Sequence, residues 1–372
     1  MGRKRKQKQR NKRRIFWPLA ALVAVLVCMG ALLVYRSGVL DLAHGGSEII
    51  SKVEPFTYEN GTQQMFAPVK GGVAVANTTG LQVLDKNGVT MARSIVSMKS
   101  PALASAGDRA AAYDVGGTAL RVGDPRGNVT VLDQSDAIIS VTMNAAGYLA
   151  VVTEETGYKG LVTVYNEEFD PVYRWHSGTN YVLRACVSPD CQSMAALTLE
   201  ESGGAVHVFS LSSEEEYAVF SAPGVLLFDC AFLGNDRLCG VHDGGLVFFT
   251  AAGVDGGSWS FGGQFLNGYS FDGDGFVTAV LSQYQTGSVG SVVTVGYGGS
   301  VTGQMTPQDA VQSVSVRDKQ VLIRYGEYTA VYSQSLEETD RVPGGQGAKD
   351  AVLFDRNKGF LLYSGYCEPV TF

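Results

Sequence analysis

From residue 63 onward the chain is a succession of short apolar runs, each closed by Gly, Asn, Asp or Pro. Residues 108–132, DRAAAYDVGGTALRVGDPRGNVTVL, show the unit. An alanine-rich run ends at Gly-Gly, a second run ends at Asp-Pro-Arg-Gly-Asn, and a third closes the unit. Short β-branched and aromatic runs bounded by turn residues predict antiparallel strands joined by tight turns. Aligned by their second run, the units begin at Gly72, Arg109, Tyr148, Ser193, Arg237, Phe276, Gln320 and Gly359, 37 to 45 residues apart. A period near 40–45 with four strands per unit marks propeller blades. The prediction is an all-β, eight-bladed β-propeller, with seven blades as the alternative.

Three runs follow Asp350, one strand short of a blade, while residues 53–58 precede the first unit without a blade of their own. An open ring would leave two unpaired sheet edges, which invite aggregation. Residues 53–58 are therefore expected to supply the outer strand of the last blade, and 53–372 to form the propeller.

The first 52 residues read differently. Residues 15–35, IFWPLAALVAVLVCMGALLVY, are twenty-one in a row without a charge. About 20 apolar residues at ~1.5 Å rise span a ~30 Å hydrocarbon core. Eleven of them are Leu, Ile, Val or Phe, which favours insertion by roughly −3 to −7 kcal/mol. The run is longer than the apolar region of a signal peptide, and Leu33-Val34-Tyr35-Arg36 is a poor cleavage site. An uncleaved transmembrane helix is expected. Residues 1–14 hold nine Lys or Arg and no acid, which places this tail in the cytoplasm and the propeller outside the cell membrane. Residues 36–52 are a linker of at most roughly 56–61 Å, so the ring would work near the lipid bilayer.

Charge narrows the partners. The whole chain is −7, but without the tail 20 basic residues face 36 acidic ones. An acidic body disfavours nucleic acid.

With the tail Arg3–Arg14, the apolar stretch and the eight Gly-punctuated units on the page, the chain resembles an uncharacterised family of Gram-positive bacterial proteins. That family is a domain of unknown function with one N-terminal anchor and an extracytoplasmic propeller. The resemblance implies fold and location, and no residue roles. Thr79-Gly80-Leu81-Gln82-Val83-Leu84-Asp85 also looks like repeats of outer-membrane assembly and quinoprotein propellers. The repeats are WD40-like in spacing, but Trp17, Trp175 and Trp259 are followed by Pro, His and Ser, so the Trp-Asp dipeptide is absent.

No catalytic motif emerges. The four histidines are far apart, and no Cys-x-x-Cys pair or nearby His completes a metal set, so neither metal nor cofactor is expected. Asp272-Gly273-Asp274-Gly275 resembles the start of a calcium loop, but Phe276 opens a strand at once; turn chemistry explains it. Cys230 and Cys239 flank a turn near Gly234-Asn235 and could form a disulfide, or fill the core as thiols. The loops between second and third strands emerge on one face and carry Glu154, Tyr158, Glu200, Tyr284 and Tyr325. Tyrosines with carboxylates suit a sugar, peptide or cationic partner. The leading expectation is a membrane-anchored binding or scaffold module for an envelope protein or polysaccharide. The alternative is a hydrolase or lyase acting on envelope polymer.

Overall fold

The computed structural model describes residues 54–372 apart from 214, 272–273 and 286–289. The tail, the predicted transmembrane helix and the linker lie outside the described residues. Among the described residues no helix is long and apolar enough to cross a membrane.

The apolar runs become 32 strands arranged in eight four-stranded antiparallel sheets. Each sheet is a blade, and in seven of the eight the strands run in chain order from the innermost outward. The eight-blade count holds. Burial explains why the middle runs are continuous rather than alternating. Gly72–Asn77, Phe276–Ser282 and Gly290–Gly296 are buried at every position, because neighbouring blades cover both faces. An outermost strand such as Glu216–Pro223 has mostly exposed residues with partly buried ones between them. The apolar clusters cross from blade to blade: Leu197 and Val206 of blade four pack with Leu227 and Phe249 of blade five.

Turn residues do structural work on the face where first and second, and third and fourth, strands connect. Asp85 Oδ1 accepts backbone N–H groups from Asn87 at 2.9 Å and Val89 at 2.8 Å. Asp124 and Asn166 make the same local turns. On the opposite face a glycine opens the third strand of five blades: Gly80, Gly160, Gly203, Gly245 and Gly290. A Cβ at Gly80 would lie 2.0 Å from the Ser94 carbonyl oxygen, and φ there is +148°. Only glycine lets the outermost strand end so close.

The last blade is built from Asp350–Asp355, Lys358–Leu362 and Tyr366–Thr371. Its fourth strand is Phe56–Thr57, antiparallel to Tyr366–Thr371, with Phe56 opposite Cys367 and Thr57 opposite Tyr366. Tyr58 follows, buried in one cluster with Val73, Val75 and Leu84 of blade one and Val352, Phe360 and Leu362 of blade eight.

Candidate binding face and central channel

Strand direction divides the ring into two faces. Each innermost strand begins, each second ends, each third begins and each outermost ends on the same side, here the upper face. Among the described residues, seven Phe and Tyr side chains are exposed. Tyr217 lies on an outermost strand. The other six, Tyr158, Tyr181, Phe228, Phe265, Tyr284 and Tyr366, lie in upper loops or at the upper ends of strands. Five of these belong to blades three to six, as do exposed Leu199 and Leu226. Exposed aromatics gathered on one side are the compositional mark of a contact surface.

The predicted loop residues fare unequally. Glu154 and Tyr158 are exposed, and the Tyr158 ring lies 4.8 Å from that of His176. Beside them Lys159 Nζ sits 4.7 Å from the centroid of Tyr181. Tyr284 is 68% exposed. Glu200 is held rather than free: Asn180 Nδ2 donates to its Oε1 at 3.0 Å, and His207 Nε2 is 3.4 Å away. His207 is also 2.5 Å from Glu216. Tyr325 is a correction. It is 1% exposed, its ring lies 4.6 Å from that of Tyr328, and its hydroxyl is 3.0 Å from that of Tyr332. The second strand of blade seven ends at Arg324, and the next side chain turns back into the core instead of outward.

Of the two readings of Cys230 and Cys239, the structure has the core-filling thiols and not the disulfide. Cys230 pairs with Gly240, and Cys239 with Ala231, so the two cysteines are one residue out of register. Side chains alternate across a strand. Cys230 therefore faces blade four and Cys239 faces blade six, both as free buried thiols. Burial pushes the Cys239 thiol well up, and a hydrogen bond with Cys186, joined by burial, does the same for Cys230.

The innermost strands of all eight blades line a central channel with a cavity of about 760 Å³. Most of its lining is small or apolar. Among the polar exceptions, one connected group lies on blades four to six. Arg184 Nε lies 2.6 Å from Asp229 Oδ1, an ion pair whose N–H is poorly aligned for a hydrogen bond. Tyr269 Oη donates to Asp229 Oδ2 at 2.6 Å, and the Cys230 N–H donates to Oδ1 at 2.8 Å. Burial pushes the Asp229 carboxyl up, more than Arg184 and these donors pull it down. For Arg184, burial opposes the charged form most strongly, but the Asp229 charge together with the nearby Cys230, Tyr113 and Cys186 outweighs it, and its pKa rises. Asp350, on blade eight, is raised by burial while the Ala351 N–H holds its Oδ1 at 2.8 Å. The channel acids are thus each occupied. Among the described residues no three ligand-type side chains form a metal site.

Arg184, Asp229, Phe228, Phe265 and Tyr269 escape a loop-by-loop reading of the sequence. The signal for two of them was there: Leu-Arg-Ala-Cys and Phe-Asp-Cys-Ala each put a charge inside an apolar innermost strand.

Comparison with solved structures agrees with this architecture. The C-terminal WD40 domain of Sif2 superposes with a TM-score of 0.58 at 13% identity, covering 85% of this chain and 98% of that one. BamB from Moraxella catarrhalis gives 0.53 at 10% identity, covering 86% and 100%. The dihydro-heme d1 dehydrogenase NirN gives 0.53 at 16%, covering 77% and 66%. Identities this low speak for the fold alone. No curated protein matches the chain. Residues 47–335 match the model of a family of unknown function, DUF5711.

Proposed function

This chain belongs to that family of unknown function, DUF5711, and from its geometry we propose a binding platform that engages its partner through the upper face of blades three to six. The carrying observation is the gathering of Tyr158, Tyr181, Phe228, Phe265 and Tyr284 there, while among the described residues the opposite side has one exposed aromatic, Tyr217 at the start of its strand, and isolated valines such as Val89 and Val254 among polar turns. Aromatic side chains give large contact area at low conformational cost, and a rigid ring holds them in place. The finer reading keeps the N-terminal anchor at 15–35, a cytoplasmic tail and a ring facing the envelope of a Gram-positive cell. Its partner is then an envelope protein or polysaccharide.

The hydrolytic alternative has less support. Glycoside cleavage calls for two available carboxylates ~5–9.5 Å apart. Asp229 is engaged by Arg184 and Tyr269, and Asp350 by its own strand.

A photo-crosslinking residue placed at Tyr181 or Tyr284 in intact cells should trap a partner. The same residue at Asn87, on the opposite face, should not. Equal capture from both faces, or capture from Asn87 alone, would remove the proposal.

A further inference from the structure

Between blades five and six the upper face sinks into a pocket of about 380 Å³. Its walls include Phe228, Phe265 and Tyr269, with Asp243, Asn267 and Gln285 around them. The Phe228 and Tyr269 rings stand 6.2 Å apart at 61°, so their faces do not lie parallel but enclose a corner. Tyr269 donates its hydroxyl hydrogen to Asp229, which pushes electron density into the ring and strengthens its negative face. Asp243 is on the second-to-third turn of blade five, and its side chain is 98% exposed. Farther round the same face, the upper loops of blades three and four carry Glu154, Glu155 and Glu201 against Lys159. An aromatic corner with a carboxylate at its rim attracts a cation through ring quadrupoles and through charge.

We propose that this pocket binds a quaternary alkylammonium group. The inference rests on reading the upper face as the binding face. A primary ammonium is strongly hydrated and needs direct acceptors to replace its water. Here the acid stands in solvent while the walls are aromatic. A methylated ammonium keeps its charge yet presents an apolar surface, which is what such walls accommodate.

The test titrates the full chain with choline, with its neutral isostere 3,3-dimethylbutanol and with N-acetyl-lysine methylamide, read by calorimetry or ligand-observed NMR. Choline should bind at least about tenfold more tightly than either competitor. Phe228→Ala and Phe265→Ala should each weaken choline by roughly 2- to 5-fold, the range of one exposed cation–π contact. Phe228→Trp should retain binding, which separates loss of the ring from loss of fold. Asp243→Asn should weaken choline and leave the isostere unchanged. Equal binding of the isostere would make the pocket merely apolar and overturn the proposal. So would equal binding of the lysine amide, or choline binding indifferent to both Phe→Ala changes. Crosslinking at Tyr181 on blade four is independent of this pocket. A failed choline titration beside successful capture at Tyr181 would reject the ammonium site and leave the platform standing.

Discussion

Tyr58→Ala should weaken the whole ring, because Tyr58 lies in the seam between its first and last blades. The ring of Tyr58 is buried among side chains of both. Its hydroxyl donates to the Tyr363 carbonyl oxygen, and its N–H donates to the Gly365 carbonyl at 3.2 Å. Truncating a buried aromatic to Ala costs about 3–5 kcal/mol. Leaving the Tyr363 carbonyl without its donor adds about 1 kcal/mol. Residues 53–372 form one compact unit, and at ~2.1 cal/mol/K per residue its unfolding entropy is about 0.67 kcal/mol/K. The expected drop in Tm is then about 6–9 °C. Tyr58→Phe keeps the ring and loses only the hydroxyl, so about 1–2 kcal/mol and roughly 2–3 °C are expected. Val131→Ala, on an outermost strand and 60% exposed, serves as the control and should shift Tm by less than about 1 °C. Differential scanning calorimetry at fixed scan rate measures all three. If Tyr58→Ala melted within about 2 °C of the wild type, the seam would not carry the stability argued for it.

Alkaline pH should unfold the protein early. Burial raises the phenols of Tyr58, Tyr325 and Tyr363, the last to about 12, and raises the Cys367 thiol. Their unfolded counterparts ionise near ~10 and ~8.5. The stability they contribute is intact below those values and falls as pH rises through them toward the folded ones. Tm should decline first above about pH 8.5 and steeply above about pH 10, while Tyr363→Phe should blunt the upper part. Asp229→Asn should destabilise by about 2–3 kcal/mol, less than a fully buried pair because Arg184 is one-third exposed. The double change Arg184→Met, Asp229→Asn should recover most of that in urea melts, and a purely additive double mutant would argue against the pairing. Alkylation of the native protein followed by mass spectrometry should modify Cys191, which is partly exposed, and spare Cys186, Cys230, Cys239 and Cys367 until denaturant is added. A Cys230–Cys239 disulfide in the digest would contradict the register of that hairpin.

The ring was legible because its physics is local. Each hairpin announces itself by its turn residues, and seven spacings near 40 residues separate eight units. Faces within a strand were harder. Cys230 and Cys239 flank a turn at equal apparent distance, but one residue of register sends them to opposite sides. Tyr325 follows an apolar strand like an ordinary loop residue, and only its packing against Tyr328 and Tyr332 reveals a core position. The upper-face aromatics were half visible. Tyr158 and Tyr284 stand in loops rich in polar residues, whereas Phe228 and Phe265 sit at strand starts, where apolar residues normally denote burial. Nothing in sequence spacing places Phe228, Phe265 and Tyr269 around one hollow, because that depends on how two blades splay.

The pairing of Phe56 with Cys367 has a consequence for biosynthesis. A ribosome makes the first of these partners before any blade exists and the second only after the strands of seven blades have been made. Until Tyr366–Thr371 emerges, Phe56–Thr57 has no strand to join, so a nascent chain carries its clasp open throughout translation. Messages truncated just before the codons for Tyr366–Thr371 should yield products that proteases clear at once, although seven blades are complete.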